Sequence, residues 1–136
     1  MDYLPDTNII SAMLRLDEKV LKKAKQTGFD EDQIFINTIS YYETKRGLLA
    51  TQATTKMKRF ELLLKKYEMI GIDSEKVLDK ASEIYADLKR RGELLPDADI
   101  LIAAIANAHN LILVTNDSHF DRIEGLHLEN WLKEER

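Results

Sequence analysis

The sequence predicts an α/β protein, a three-layer α/β/α sandwich in which a short-stranded, mainly parallel sheet is flanked by helices. Brief apolar runs near residues 3–5, 33–36, 69–72, 111–115 and 126–128 alternate with longer stretches of helical periodicity. Strands joined by helical crossovers produce that pattern. The run Leu111-Ile112-Leu113-Val114-Thr115 is apolar without alternation, as expected of a strand covered on both faces. The 136 residues contain no repeat and no Pro/Gly/Ser-rich linker. One domain over residues 1–136 is therefore expected, long enough to bury a core without staples.

In chain order, Tyr3-Leu4-Pro5 reads as a strand, with Pro5 at its end, where a missing donor costs little. Thr7 and Asn8 offer capping side chains for a helix to about Arg15. A second helix is expected from Asp17 to Gln26, stopped at Thr27-Gly28. Gln33-Ile34-Phe35-Ile36 reads as a buried strand, followed from Thr38 or Ser40 by a helix that carries Ile39, Tyr42 and Leu49 with Glu43 beside them. Met57, Phe60, Leu64 and Tyr67 then recur at helical spacing, and Met69-Ile70-Gly71-Ile72 is a short strand. The clearest helix starts at an Asp73-Ser74 cap, lines up Val77, Leu78, Ala81, Ile84, Tyr85 and Leu88 on one face, and ends by Arg91-Gly92. Beyond Pro96, residues 98–109 are apolar nearly all round, so a buried helix is expected there, with Asp97 available to cap it.

Composition removes whole classes of chemistry. With no cysteine, a disulfide framework, a thiolate zinc site and a cysteine nucleophile are all excluded. The first residues lack the basic-then-apolar pattern of a secretory signal, and no apolar run nears the ~20 residues of a membrane span. A cytoplasmic protein without membrane contact is expected. The formal net charge of −4 argues mildly against a generic nucleic-acid binder, unless the acids converge on a cation. Lys45-Arg46 and Lys89-Arg90-Arg91 are local basic clusters that serve equally well as solvated helix faces.

In open parallel sheets, ligands bind beyond the carboxyl ends of the strands. Asp6 follows the first strand and Asp117 follows the strand ending at Thr115. Each acid nevertheless has an ordinary local role. Asp6 suits a helix cap, Glu43 an i,i+3 pair with Arg46, and Asp117 a turn. Asp99 fits such a role least well: a carboxylate in the first turn of a buried helix suits the helix dipole but is costly unless paired or metal-bound.

The segments Leu4-Pro5-Asp6-Thr7-Asn8-Ile9-Ile10, Pro96-Asp97-Ala98-Asp99-Ile100-Leu101-Ile102-Ala103-Ala104 and Leu113-Val114-Thr115-Asn116-Asp117-Ser118-His119-Phe120 resemble, in order, the signatures of PIN-domain nucleases. Over essentially the whole length, including Gly125-Leu126-His127-Leu128-Glu129-Asn130-Trp131, the chain is similar to VapC toxins of type II toxin–antitoxin modules. The resemblance implies that Asp6, Glu43, Asp99 and Asp117 are metal-binding carboxylates, with Asp6 and Asp99 the principal ligands. It implies that Asn8 and Thr115 orient them, Glu43 being matched through the preceding Asn37-Thr38-Ile39-Ser40. Two departures stand out. Asn116 occupies a place where many relatives carry Arg in a longer motif, so Asp117 is the natural fourth acid and Asp121 a poor substitute; and Pro5 replaces a residue more often aliphatic.

The implied activity is that of a Mg²⁺-dependent endoribonuclease, Mn²⁺ being a possible substitute, with transfer RNA among the candidate substrates. Hard divalent cations prefer oxygen ligands and offset phosphate charge, and a metal-activated water removes the need for a histidine base. His109, His119 and His127 accordingly read as surface or local packing residues. Lys45, Arg46, Arg90 and Arg91 are candidates for RNA phosphate contacts. The resemblance further implies a homodimer and a VapB-type antitoxin, with the apolar faces around residues 9–16 and 57–67 as candidate contacts. Two rivals remain: a PIN-like protein-interaction module without catalysis, and an aspartyl phosphatase, which commonly needs a second acid where this chain has Asn8. No phosphate-binding glycine loop supports nucleotide hydrolysis or hydride transfer.

Overall fold

The computed structural model describes residues 1–133. Its elements run β1 (Tyr3–Pro5), α1 (Thr7–Leu14), α2 (Glu18–Phe29), β2 (Phe35–Asn37), α3 (Thr38–Ala50), α4 (Thr54–Lys66), β3 (Glu68–Ile70), α5 (Glu75–Arg90), α6 (Asp97–Ala108), β4 (Ile112–Val114) and β5 (Leu128–Glu129), with a 3-10 turn at Ser118–Arg122. The strands form two ladders, β1-β4-β5 and β2-β3, every pair parallel. A parallel bridge from Tyr3 to Ile34 joins them, supported by the Tyr3 N–H donating to the Gln33 carbonyl at 2.9 Å. The result is a twisted layer in the order β3-β2-β1-β4-β5, and all strands end on the same side.

Side chains alternate between the two faces of this layer, as the period of a strand requires. Leu4 and Leu113 pack with Val77, Ile84 and Leu88 of α5 and Ile102 and Ile105 of α6. On the other side, Val114 and Ile34 meet Ile9, Met13 and Val20, and Ile36 meets Ile10, Leu14 and Phe60. This is the expected α/β/α sandwich. Trp131, 1 % exposed, closes the second face with its ring 5.3 Å from that of Tyr3. Burying an indole of this kind contributes on the order of 3 kcal/mol.

Several local expectations are corrected. Asp6, rather than Thr7 or Asn8, caps α1: its Oδ1 accepts the Ile9 N–H at 2.9 Å. The strand pairing decides this, because the register of Pro5 opposite Val114 ends β1 at Pro5 and leaves Asp6 extended. Helix α2 runs through Gly28 to Phe29, and Glu31 takes the left-handed turn at φ 61°. Ser74 starts α5 without a side-chain cap, since Asp73 turns to His109 at 3.1 Å. Asp97 is the first residue of α6 and does not cap it; the cap position belongs to Pro96. Asn37 closes β2 and also caps α3, its Oδ1 accepting the Ser40 N–H at 2.7 Å. Gly71 packs against Thr38, where an added Cβ would collide with the threonine hydroxyl.

Candidate active site

Parallel strands place their last residues side by side, so acids far apart in sequence meet at one edge. Asp6 leaves β1 next to Thr115, which leaves β4, and the Asp6 N–H donates to the Val114 carbonyl at 2.9 Å. The Thr115 hydroxyl donates to Asp6 Oδ2 at 2.6 Å, between two side chains each 5 % exposed. Both oxygens of Asp6 therefore accept one protein hydrogen bond, Oδ1 from Ile9 and Oδ2 from Thr115. A carboxylate has about four lone-pair directions, so these two bonds do not exhaust its acceptor capacity. Thr115 Oγ1 also accepts the Asp117 N–H at 3.0 Å, which sets the turn carrying that acid.

Asp99 stands in the first turn of α6, half-buried, where the helix dipole favours its charge. Glu43 lies one turn into α3, its Oε1 accepting the Thr7 hydroxyl at 2.7 Å and its Oε2 3.8 Å from Arg46. Electrostatics tie the four acids together. Burial pushes the Asp6 carboxyl above its ordinary range, the Thr115 and Ile9 hydrogen bonds pull it back, and Asp99 and Asp117 raise it further. Burial also raises Asp99, with Asp117 and Glu43 adding to the effect and His119 opposing it. Like charges facing one another disfavour ionisation, and only an assembled site gives Asp6 and Asp99 these neighbours.

The remaining candidate residues take different places. Asn8 is exposed on α1; from that turn it is the Thr7 side chain that reaches Glu43. Lys45 and Arg46 are exposed on α3 beside Glu43, Lys45 over the Tyr41 ring and Arg46 over the Tyr42 ring. Arg90 is exposed at the end of α5, whereas Arg91 is engaged by Asp87 at 2.8 Å, by Glu93 at 2.7 Å and by the Arg122 carbonyl. His119, set aside on sequence grounds, has its Nδ1 3.2 Å from Asp117 Oδ1. Its two-residue spacing from Asp117 carried the signal, since a turn at Ser118 folds the ring back. The Thr7–Ser40–Asn37 contacts described below were also missed.

A hard oxygen donor set without sulfur suits Mg²⁺ or Mn²⁺, and the raised carboxyls of Asp6 and Asp99 are groups that a cation would relieve. Among the described residues, however, no three His, Asp or Glu side chains stand close enough together to share one ion. The donor chemistry fits the metal, and the acids lie near enough to raise the Asp6 and Asp99 carboxyls without forming such a three-residue group.

A second surface lies between α1, α2 and α4. Met13, Leu14, Leu63 and Tyr67 form the floor of an apolar groove of about 260 Å³, and Leu16, Leu21 and Leu62 along it are 50 %, 38 % and 65 % exposed. Arg59 and Lys66 line the same groove, Arg59 being held by the Leu14 carbonyl at 2.9 Å. The apolar faces expected to make contacts are thus divided: Ile9, Ile10 and Phe60 are core, while Leu16 and Leu62 are exposed.

The fold and the strand-end carboxylates have a counterpart among known families: the model of the PIN domain matches residues 3–126, and the chain belongs to that family. Curated relatives that it matches carry the name VapC. Ribonuclease VapC2 of Rickettsia felis is 29 % identical over 135 residues, covering 98 % of this chain and all of the relative. The tRNA(fMet)-specific endonuclease VapC of Shigella flexneri is 23 % identical over 133 residues, covering 96 % and 98 % of the two chains. Among solved structures, VapBC2 from Rickettsia felis bound to a DNA fragment from its promoter matches with a TM-score of 0.89 and 28 % identity, over 96 % of this chain and 99 % of the other.

Proposed function

We propose that this protein is a metal-dependent endoribonuclease, the toxin of a VapBC-type pair, and that Asp6, Glu43, Asp99 and Asp117 form its catalytic centre. The observation that carries the reading is the mutual influence of acids from positions 6, 43, 99 and 117: burial pushes the Asp6 and Asp99 carboxyls up, and Asp99 and Asp117 on the first, Asp117 and Glu43 on the second, raise them further. Scattered caps and turns in a pure interaction module have no reason to converge. An aspartyl phosphatase is disfavoured because Asp6 is locked by Thr115 and Ile9 and the place of its second acid is the exposed Asn8.

Asp6 and Asp99 would hold a Mg²⁺ or Mn²⁺ ion, with Glu43 and Asp117 beside them; when bound, it polarises an attacking water and offsets phosphate charge. The chain's own side chains do the rest. Thr115 and the Ile9 N–H fix the plane of the Asp6 carboxylate. His119 and the Thr115 hydroxyl bracket Asp117. Lys45 and Arg46, exposed next to Glu43, are placed to meet RNA phosphates. Arg91 is left out of that role by its ion pairs, and Arg90 keeps it.

The antitoxin of such a pair would enter the α1–α2–α4 groove with an apolar face toward Leu16, Leu21 and Leu62 and acidic side chains toward Arg59 and Lys66. The relatives named above as ribonucleases and the solved VapBC complex support this reading, and the tRNA(fMet)-specific relative makes transfer RNA the first substrate to assay. A cytoplasmic site of action and a homodimer complete the proposal; among the described residues no helix is long and apolar enough to cross a membrane. The test is cleavage of transfer RNA by purified protein with and without Mn²⁺, beside Asp6→Asn and Asp99→Asn. Loss of cleavage in both folded variants is expected, and full activity in either would overturn the assignment.

A further inference from the structure

Beside Glu43 lies a chain of polar groups, buried at Asn37 and Ser40 and half-buried at Thr7, whose proton directions are fixed. Asn37 and Ser40 are both 0 % exposed. The Ser40 N–H donates to Asn37 Oδ1 at 2.7 Å, which orients the amide. Asn37 Nδ2 must then point the other way, donating to Ser40 Oγ at 2.9 Å and to the Pro5 carbonyl at 3.4 Å. Ser40 Oγ lies 2.8 Å from Thr7 Oγ1, and Thr7 Oγ1 lies 2.7 Å from Glu43 Oε1. An ionised carboxylate only accepts, so the single Thr7 proton goes to Glu43. Ser40 must therefore donate to Thr7. The order Asn37 to Ser40 to Thr7 to Glu43 follows with no freedom left.

We propose that Thr7 is a positioning residue for Glu43, its hydroxyl aimed by this one-way relay from Asn37 and Ser40. The arrangement uses helix geometry economically. Asn37, Ser40 and Glu43 recur every three residues along the start of α3, and Thr7 crosses from the first turn of α1 to bridge the last gap. Glu43 Oε1 is thereby tied to Thr7, and Oε2 lies 3.8 Å from the exposed Arg46. Without the Thr7 donor, that guanidinium is the remaining partner and draws the carboxylate outward, away from Asp99. Chained hydrogen bonds polarise one another, so each link tightens the next. Thr7 also neighbours Asp6 in sequence, so one turn of α1 orients two of the four acids.

This inference rests on the proposed metal-dependent activity, and one readout is independent of it. Thr7→Val keeps the shape and deletes the donor; Thr7→Ser keeps the donor; Ser40→Ala breaks the relay one bond upstream. Crystal structures of the intact variant proteins should show Glu43 rotated toward Arg46 in Thr7→Val and in its original rotamer in Thr7→Ser. Calorimetric Mn²⁺ titration should show affinity lowered about 10–100-fold in Thr7→Val, restored to within a few-fold in Thr7→Ser and intermediate in Ser40→Ala, with kcat for RNA falling in the same order. An unmoved Glu43 in Thr7→Val, or a Thr7→Ser variant as impaired as Thr7→Val, overturns the relay. If the unmodified protein neither binds Mn²⁺ nor cuts RNA, the proposed function fails, and the Glu43 rotamers still decide the relay.

Discussion

Replacing Thr115 by Val removes a hydroxyl and almost no volume, so the cost can be worked out from hydrogen bonds alone. The lost bond joins the Thr115 hydroxyl to Asp6 Oδ2 at 2.6 Å, between two buried side chains. A hydrogen bond to a charged group contributes roughly 1.5–3 kcal/mol. The Asp117 N–H also loses its acceptor, but Asp117 is only half-buried and water replaces much of that bond. For 136 residues, an unfolding entropy of about 2.1 cal/mol/K per residue converts 1 kcal/mol into roughly 3.5 °C. Thr115→Val should therefore melt roughly 5–10 °C below the parent protein near neutral pH. The Thr115 bond lowers the Asp6 carboxyl, so its loss raises that group further. A raised folded value favours the protonated fold, so the penalty should shrink as pH falls from neutral toward the ordinary carboxyl value of 3.8. Metal-free melting of Thr115→Val and Thr115→Ser at both pH values is the assay. A drop under about 2 °C near neutral pH, or an equal drop at both, would refute the role given to this bond.

Two other outcomes follow from the same site and from the groove. Asp6 and Asp99 both sit above the ordinary carboxyl value, so the metal-free fold binds more protons than the unfolded chain; stability should fall as pH rises from 3.8 through their folded values and then level off. Saturating Mn²⁺ should raise Tm most on the neutral side of that fall, and Asp99→Asn should both melt higher than the parent without metal and lose most of the Mn²⁺ response; differential scanning calorimetry across pH checks this, and a metal response that is independent of pH would contradict it. Leu62→Glu places a charge on an exposed position of the groove, so it should weaken binding of a VapB-type antitoxin by at least tenfold in titration calorimetry while Tm and RNA cleavage stay near parental; undiminished binding would put the antitoxin elsewhere.

The sequence by itself determined the alternation of strands and helices, the three-layer class and the placement of Asp6 and Asp117 beyond strand ends. Those features arise from local periodicity and from acids adjacent to apolar runs. Asp99 was legible for the same reason, a charge at the head of an apolar helix. Tertiary structure decided the rest. Asp6 and Thr115 lie 109 positions apart, and only the register of β1 on β4 makes them neighbours. That register also chose Asp6 as the cap from three adjacent capping residues, a choice no local preference makes. Glu43 is held by Thr7, 36 positions away, a contact that no local pattern encodes. His119 against Asp117 and Arg91 between Asp87 and Glu93 depended on side-chain direction, which periodicity does not encode. Periodicity reports which face of an element is buried. Which buried or half-buried polar groups meet is set by how parallel strands align their ends, and the site is made from those meetings.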